Sequence, residues 1–271
     1  MCINSDYNLD SISKFTVDLA CETGELIKTK RNENSLSFDY KDNCELVTSA
    51  DIAADELITS SINNKYPDHS IFSEESSPGF LSSNQSKKYL WIVDPVDGTV
   101  NYAHSQAHVA ISIAYAIDGI VQVGVVHAPF QDETFTAIKG KGAFLNGEPI
   151  RCSTNNNLKA SIISTGFPYD KSNIEHLIRR VRRILANFQD IRRLGSAALD
   201  LSWVACGRLE GYYETIKPWD LAAGRLIAKE AGAVAGNLVQ NDLVPEDLCG
   251  DDLVVASPEI YSDLVRVLEE A

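Results

Sequence analysis

No apolar run in this chain of 271 residues approaches the ~20 residues that a membrane-spanning helix needs. The opening stretch, Met1-Cys2-Ile3-Asn4-Ser5-Asp6, carries neither the basic nor the apolar segment of a secretory leader. Cysteines at 2, 21, 44, 152, 206 and 249 never form a C-x-x-C pair and follow no zinc-finger rhythm. They read as reduced thiols of a cytoplasmic protein, several of them filling core. Basic charge is short as well. Against 38 Asp and Glu stand 24 Lys and Arg, and the net charge of −14 argues against a general nucleic-acid binder. Internal repeats and low-complexity tracts are also missing. What is present suffices for a sizeable core: 44% apolar residues, with three Trp, ten Tyr and nine Phe. Length alone leaves one or two domains open.

Helical spacing of Leu9, Ile12, Phe15, Leu19, Leu26 and Ile27 predicts a helix over residues 8–30. Residues 32–44 read as a loop or weak hairpin. A second helix begins at Thr48, where Thr48-x-x-Asp51 has the form of a capping box, and ends before Pro67. Residues 70–73 form a short strand that delivers Glu74 and Glu75, and residues 77–88 a surface loop. A meander of three or four antiparallel strands fills residues 109–150, turning at Asp118-Gly119, Pro129 and Asn146-Gly147. Further on, strands at 161–165, 211–214 and 253–257 alternate with helices at 174–187, 197–206, 218 onward and 260–269. The alternation predicts a compact α/β unit with mixed sheet. His104, His108 and His127 lack a neighbouring ligand at useful spacing and are read as structural. Arg179, Arg180, Arg182 and Arg183 on one helix are read as a solvated or subunit-contact face.

The stretch Asp94-Pro95-Val96-Asp97-Gly98-Thr99-Val100-Asn101-Tyr102 does not fit such a plain account. Residues 89–93 make a buried strand that Pro95 is expected to end. Asp-Gly is a hairpin signal only between alternating apolar runs, and residues 99–106 are polar and do not alternate. Asp118-Gly119 is the hairpin, then, and Asp97-Gly98 a site. Gly98 can take positive φ, and Thr99 and Asn101 open a helix whose free N–H groups suit an anion. Two carboxylates beside an anion cradle imply a divalent cation between them.

These residues closely resemble the D-P-[IV]-D-G-T-x-N-[FY] signature of the inositol monophosphatase family. That family also carries an upstream G-E-E-S and a downstream W-D-x-A-x-G, matched here by Ser73-Glu74-Glu75-Ser76 and Trp219-Asp220-Leu221-Ala222-Ala223-Gly224. The resemblance runs over nearly the whole chain. It implies a layered αβαβα sandwich, an α/β fold of mixed sheets, built as one domain over residues 1–271. The metal-site half would be about 1–150 and the substrate-pocket half about 151–271. It also implies a homodimer and hydrolysis of a small phosphorylated metabolite, inositol monophosphate, by metal-activated water.

Glu74, Asp94, Asp97 and Asp220 offer hard oxygen ligands, which favours Mg²⁺, with Mn²⁺ as substitute. By resemblance, two to three ions would bind. Glu74, Asp94 and the Val96 carbonyl would hold the first, and Asp94, Asp97 and Asp220 the second. Thr99, helped by Glu74 with Asp51 behind it, would orient the attacking water, and the Gly98 and Thr99 amides would take phosphate oxygens. Asp97, Gly195, Ser196, Ala197, Glu214 and Asp220 would face the alcohol half. Two departures bear on substrate. Ser73 replaces the usual glycine, and the segment from Glu214 to Asp220 is one residue short and lacks a glycine. Val100, where lysine would follow D-G-T, argues against the branch that hydrolyses nucleotide 3′-phosphates. Histidinol phosphate and fructose 1,6-bisphosphate stay as rival substrates. A regulatory factor associated with RNA polymerase or RNA, keeping the fold, is the alternative of another class.

Overall fold

The computed structural model describes residues 8–32, 38–41, 45–76, 88–168, 174–241 and 243–271. Residues 77–87 of the surface loop expected over 77–88, and parts of the loop or weak hairpin expected over 32–44, lie outside them. Helix α1 (Leu9–Asn32) leads through the antiparallel hairpin β1 (Phe38–Lys41) and β2 (Glu45–Thr48) to helix α2 (Ser49–Lys65). Thr48 caps α2: its hydroxyl accepts from Ala50 N, while its own N–H donates to Asp51 Oδ2 at 2.9 Å.

A seven-stranded sheet follows: β3 (Ser70–Ser73), β4 (Tyr89–Asp97), β5 (Ala110–Ile117), β6 (Ile120–Ala128), β7 (Glu133–Ile138), β8 (Ala143–Leu145) and β9 (Glu148–Pro149), in that spatial order. β3 runs parallel to β4, and the others pair antiparallel. Asp118 and Gly119, both at positive φ (50° and 79°), turn the hairpin that their sequence predicts. The short helix α3 (Thr99–Ala103) leaves the end of β4.

Contrary to expectation, Pro95 does not end β4. Asp94 pairs with Ser112 and Asp97 with Ala110, so three steps on β4 oppose two on β5. Such a bulge leaves residues out of the ladder, and a proline without an N–H loses nothing there.

The second sheet has the order β11-β10-β12-β14-β13, from β10 (Ile162–Thr165), β11 (Asp190–Arg192), β12 (Gly211–Glu214), β13 (Val234–Asn237) and β14 (Leu253–Ala256). It too is mixed, with β10 parallel to β11 and β12, and β14 antiparallel to β12 and β13. Helices α4 (Ile174–Asn187), α5 (Ala197–Ala205), α6 (Pro218–Glu230) and α7 (Pro258–Glu269) complete the chain.

Three apolar clusters separate five layers. One joins α1 and α2 to Trp91, Val93 and Val125 on the seven-stranded sheet. The next buries Leu90, Ile92 and Val126 of that sheet's other face, with α5, α6 and the inner face of the second sheet. The third packs Ile184 and Leu264, from α4 and α7, on Ile163 and Val254. Leu90, Ile92 and Trp91, Val93 alternate between two cores, so the strand reads as one continuous apolar run. Layering of this kind is the α/β sandwich the motifs imply.

Of the arginines expected on a solvated or subunit-contact face, Arg180 departs from expectation, while Arg179 and Arg182 are exposed. Arg180 is 8% exposed and pairs with Asp252 at 2.7 Å, Arg183 pairs with Glu270, and Arg179 Nε donates to the Ala271 carbonyl at 2.6 Å. Arg179 and Arg183 fasten α4 to residues 270 and 271, and Arg180 fastens it to the turn before β14. Among the described residues, no helix is long and apolar enough to cross a membrane.

Candidate active site

Small residues bring α6 close to the large sheet. A Cβ on Gly124 of β6 would stand 2.8 Å from the Ala223 carbonyl, and one on Gly224 would stand 2.8 Å from Leu201 of α5. Ser112, paired across β5 with Asp94, donates from Oγ to the Trp219 carbonyl at 3.0 Å. The register of β4 on β5 thus fixes the start of α6, and Asp220 in its first turn arrives beside Asp94. Lys217 N donates to Asp220 Oδ2 at 2.8 Å, an ordinary capping contact that also aims the carboxylate.

One oxygen each from Asp94, Asp97 and Asp220 lies within 4.8 Å of the others. Glu74, delivered by β3, shares a hydrogen bond with Asp94, which also hydrogen-bonds to Asp220. Burial pushes Asp94 well above the usual carboxylate range, and the charges of Glu74, Asp97 and Asp220 push it further. Asp220 is likewise raised well above that range, by burial and then by Asp97. Asp97 is pushed up to about 6 by burial, opposed by its hydrogen bonds to Ser196 and Ala198. Clustered, desolvated hard oxygens of this kind suit a divalent cation, whose charge would offset their mutual repulsion.

Asp97 has a second duty. Its carboxylate accepts from Ser196 Oγ at 2.6 Å, Ala198 N at 2.7 Å and Ala197 N at 3.3 Å. It caps α5, whose own N-cap, Ser196, makes no side-chain cap. The Ala197 and Ala198 amides at the start of α5 are thereby engaged by Asp97. Gly98 has φ 97°, and a Cβ there would stand 3.0 Å from the His108 carbonyl and 3.1 Å from that of Gly195. Asn101 Nδ2 ties the same turn together, donating to the His108 and Leu194 carbonyls at 2.7 Å each.

Asp51 is both cap and site residue. Its Oδ1 accepts from Thr99 Oγ1 at 3.0 Å while Oδ2 is held by Thr48, and Thr99 Oγ1 is also 3.2 Å from the Val96 carbonyl. Burial raises the Asp51 pKa despite those donors.

Beside the acids opens a cleft of about 840 Å³, lined by Glu74, Asp94, Val96, Asp97, Gly98, Thr99, Gly195, Ser196, Ala197, Glu214 and Asp220. Every site residue singled out from the sequence except Asp51 lines it, and Asp51 stands behind Thr99. Glu214 is pushed up to about 7 by burial, against the Tyr212 hydroxyl 2.5 Å away and the charge of Arg193. Sequence reading missed Arg193 and Asp200 in the lining. It also gave His108 no role at the site, though His108 Nε2 lies 2.9 Å from Asp200 Oδ1. Arg193 follows a cluster that looked like plain surface charge, and His108 pairs with a residue 92 positions away. No local signal marks either.

The sequence model described as "Inositol monophosphatase family" matches residues 8–271. An inositol monophosphatase of Dictyostelium discoideum is 38% identical over 266 residues, covering 97% of this chain and 96% of its own. A protein of Escherichia coli named Nus factor SuhB is 40% identical over 224 residues, 82% of this chain and 83% of its own. Among solved structures, an inositol monophosphatase of Anabaena (Nostoc) sp. PCC 7120 has a TM-score of 0.84 at 34% identity, covering 98% of both chains.

Proposed function

This chain belongs to the inositol monophosphatase family, and from that premise we propose that it is a Mg²⁺-dependent phosphomonoesterase acting on inositol monophosphate. The observation that carries the reading is the buried trio Asp94, Asp97 and Asp220, whose oxygens lie within 4.8 Å of one another.

Glu74, Asp94 and the Val96 carbonyl would hold one ion, and Asp94, Asp97 and Asp220 another. A divalent ion held by these residues would supply positive charge to neutralise phosphoryl oxygens and to make water more acidic. The chain's own residues do the rest. Thr99 Oγ1 donates to Asp51 Oδ1, which leaves the hydroxyl oxygen able to accept a proton from water. Asp51, with its proton affinity raised by burial, receives the Thr99 proton in turn. The Gly98 and Thr99 amides would take phosphate oxygens, and Glu214, its pKa pushed up to about 7 by burial, would accept hydroxyls of the alcohol half.

Phosphate release from inositol 1-phosphate, histidinol phosphate, fructose 1,6-bisphosphate and adenosine 3′,5′-bisphosphate, with and without Mg²⁺, tests the assignment. Preference for inositol phosphate supports it, and preference for another ester keeps the mechanism and moves the substrate. Release from none of them would put a regulatory role first, in line with the name of the Escherichia coli relative.

A further inference from the structure

One wall of the cleft comes from a segment that carries no motif. Val244, Leu248, Cys249, Gly250 and Asp251 all line it. The segment contains the 3-10 turn Glu246–Leu248 and is gripped from beneath by Arg225 of α6, a side chain 1% exposed. Arg225 Nη1 donates to the carbonyls of Glu246 at 2.6 Å and Cys249 at 3.3 Å, and Nη2 to the Glu246 carboxylate at 3.0 Å. A rigid guanidinium fork spanning both ends of the turn holds it as one body. From the opposite side, Asn237 Nδ2 donates to the Cys249 and Asp251 carbonyls at 3.0 and 2.7 Å.

The wall then sets the short loop between Glu214 and Asp220. Ile216 N donates to the Gly250 carbonyl at 3.1 Å. A Cβ on Gly250 would collide with the Ile216 carbonyl, so the two backbones meet only because residue 250 is glycine. Thr215, Ile216 and Lys217 line the cleft facing that wall's edge. Helix α6 thus bears Asp220 in its first turn and Arg225 less than two turns further along. A single rigid rod spaces the carboxylate trio from the far wall.

We propose that Arg225 is a specificity-determining residue. It fixes the 244–251 segment and, through Gly250, the 215–217 loop, so that the cleft takes the alcohol half of a phosphomonoester at one set depth. This rests on the phosphatase reading. An inositol ring in the cleft would reach from Asp220 to this wall, with Glu214 and Asp251 of the lining as acceptors for its hydroxyls. A small acyclic alcohol would fill only part of that space and leave the wall untouched.

The test compares inositol 1-phosphate with glycerol 2-phosphate in the wild type, Arg225→Met, Arg225→Lys and Gly250→Ala. Hydrogen exchange at the Ile216 amide is followed in the same proteins. In Arg225→Met and Gly250→Ala, the ratio of kcat/KM for the ring ester to that for the acyclic ester falls about tenfold, through KM rather than kcat. Ile216 loses protection in both, and Arg225→Lys recovers part of each effect. Gly250→Ala keeps the buried charge intact and serves if Arg225→Met does not fold. An unchanged ratio, or a protected Ile216 in folded Arg225→Met, overturns the proposal. A wild type that hydrolyses neither ester while Ile216 loosens in the variants removes the phosphatase reading and the specificity role with it, leaving a clasp that is only structural.

Discussion

Asp97 and Ser196 stand 99 positions apart in sequence, and Ser196 Oγ donates to Asp97 Oδ2 at 2.6 Å. The contact joins the end of a strand in one sheet to the start of a helix between the sheets. A residue suited to bind a cation therefore also caps α5, in place of the side chain of its N-cap Ser196, and its orientation is fixed before any ion arrives.

Asp97→Asn separates the two duties. The amide keeps one acceptor oxygen for the α5 amides, so the fold survives with a loss of about 1 kcal/mol. Mg²⁺-dependent phosphate release falls about 100-fold or more, the cost of spoiling a ligand set. Steady-state assays beside thermal unfolding check both. Wild-type turnover in this variant would remove Asp97 from the metal site.

Thr99→Val keeps the shape and deletes the hydroxyl that donates to Asp51 Oδ1. The expected result is a fall in kcat of about 100-fold, with KM little changed, because the group handles a proton and not the ground-state substrate. A loss confined to KM would contradict the role given to the Thr99–Asp51 pair.

Proton linkage gives a third expectation. Asp97 and Glu214 titrate at about 6 and about 7 in the fold, against ordinary values of 3.8 and 4.5. Raised acid pKa values mean that the folded state binds more protons than the unfolded chain between those limits. Stability without divalent ions therefore falls as pH rises from the ordinary values through about 6 and about 7. Asp51, Asp94, Asp200 and Asp220 are raised too and act in the same direction, while His69 and His127, lowered by burial, oppose them. In chelator, Tm should be higher near about pH 5 than near about pH 8, and Mg²⁺ should raise it more at the higher pH. A Tm in chelator that rises over that interval would contradict the account.

His108 and Asp200 form a nearly buried pair, with side chains 11% and 2% exposed. His108→Phe leaves Asp200 without that partner and should cost about 3 kcal/mol. Adding Asp200→Leu should return most of the loss, since both polar groups then go together. Denaturant titration of the singles and the double measures the coupling. Strictly additive effects would mean that the pair contributes nothing.

Much of this protein was legible before any coordinates. Period-two and period-3.6 patterns gave the strands and helices, because each element's buried faces are written in neighbouring residues. Thr48-x-x-Asp51 marked the cap of α2, and the Asp-Gly and Asn-Gly turns marked hairpins, because their chemistry is local. The three motifs marked Glu74, Asp94, Asp97, Thr99 and Asp220 as a set. Pro95 was misread because a bulge is a property of two strands in register, and one strand's sequence does not display its partner. The tertiary structure alone decided that Asp97 caps α5, that His108 meets Asp200, that Arg180 is buried against Asp252, and that Arg225 grips the wall of the cleft. Each joins residues far apart in sequence, and the distance between them is set by sheet register and helix packing, which no local pattern encodes.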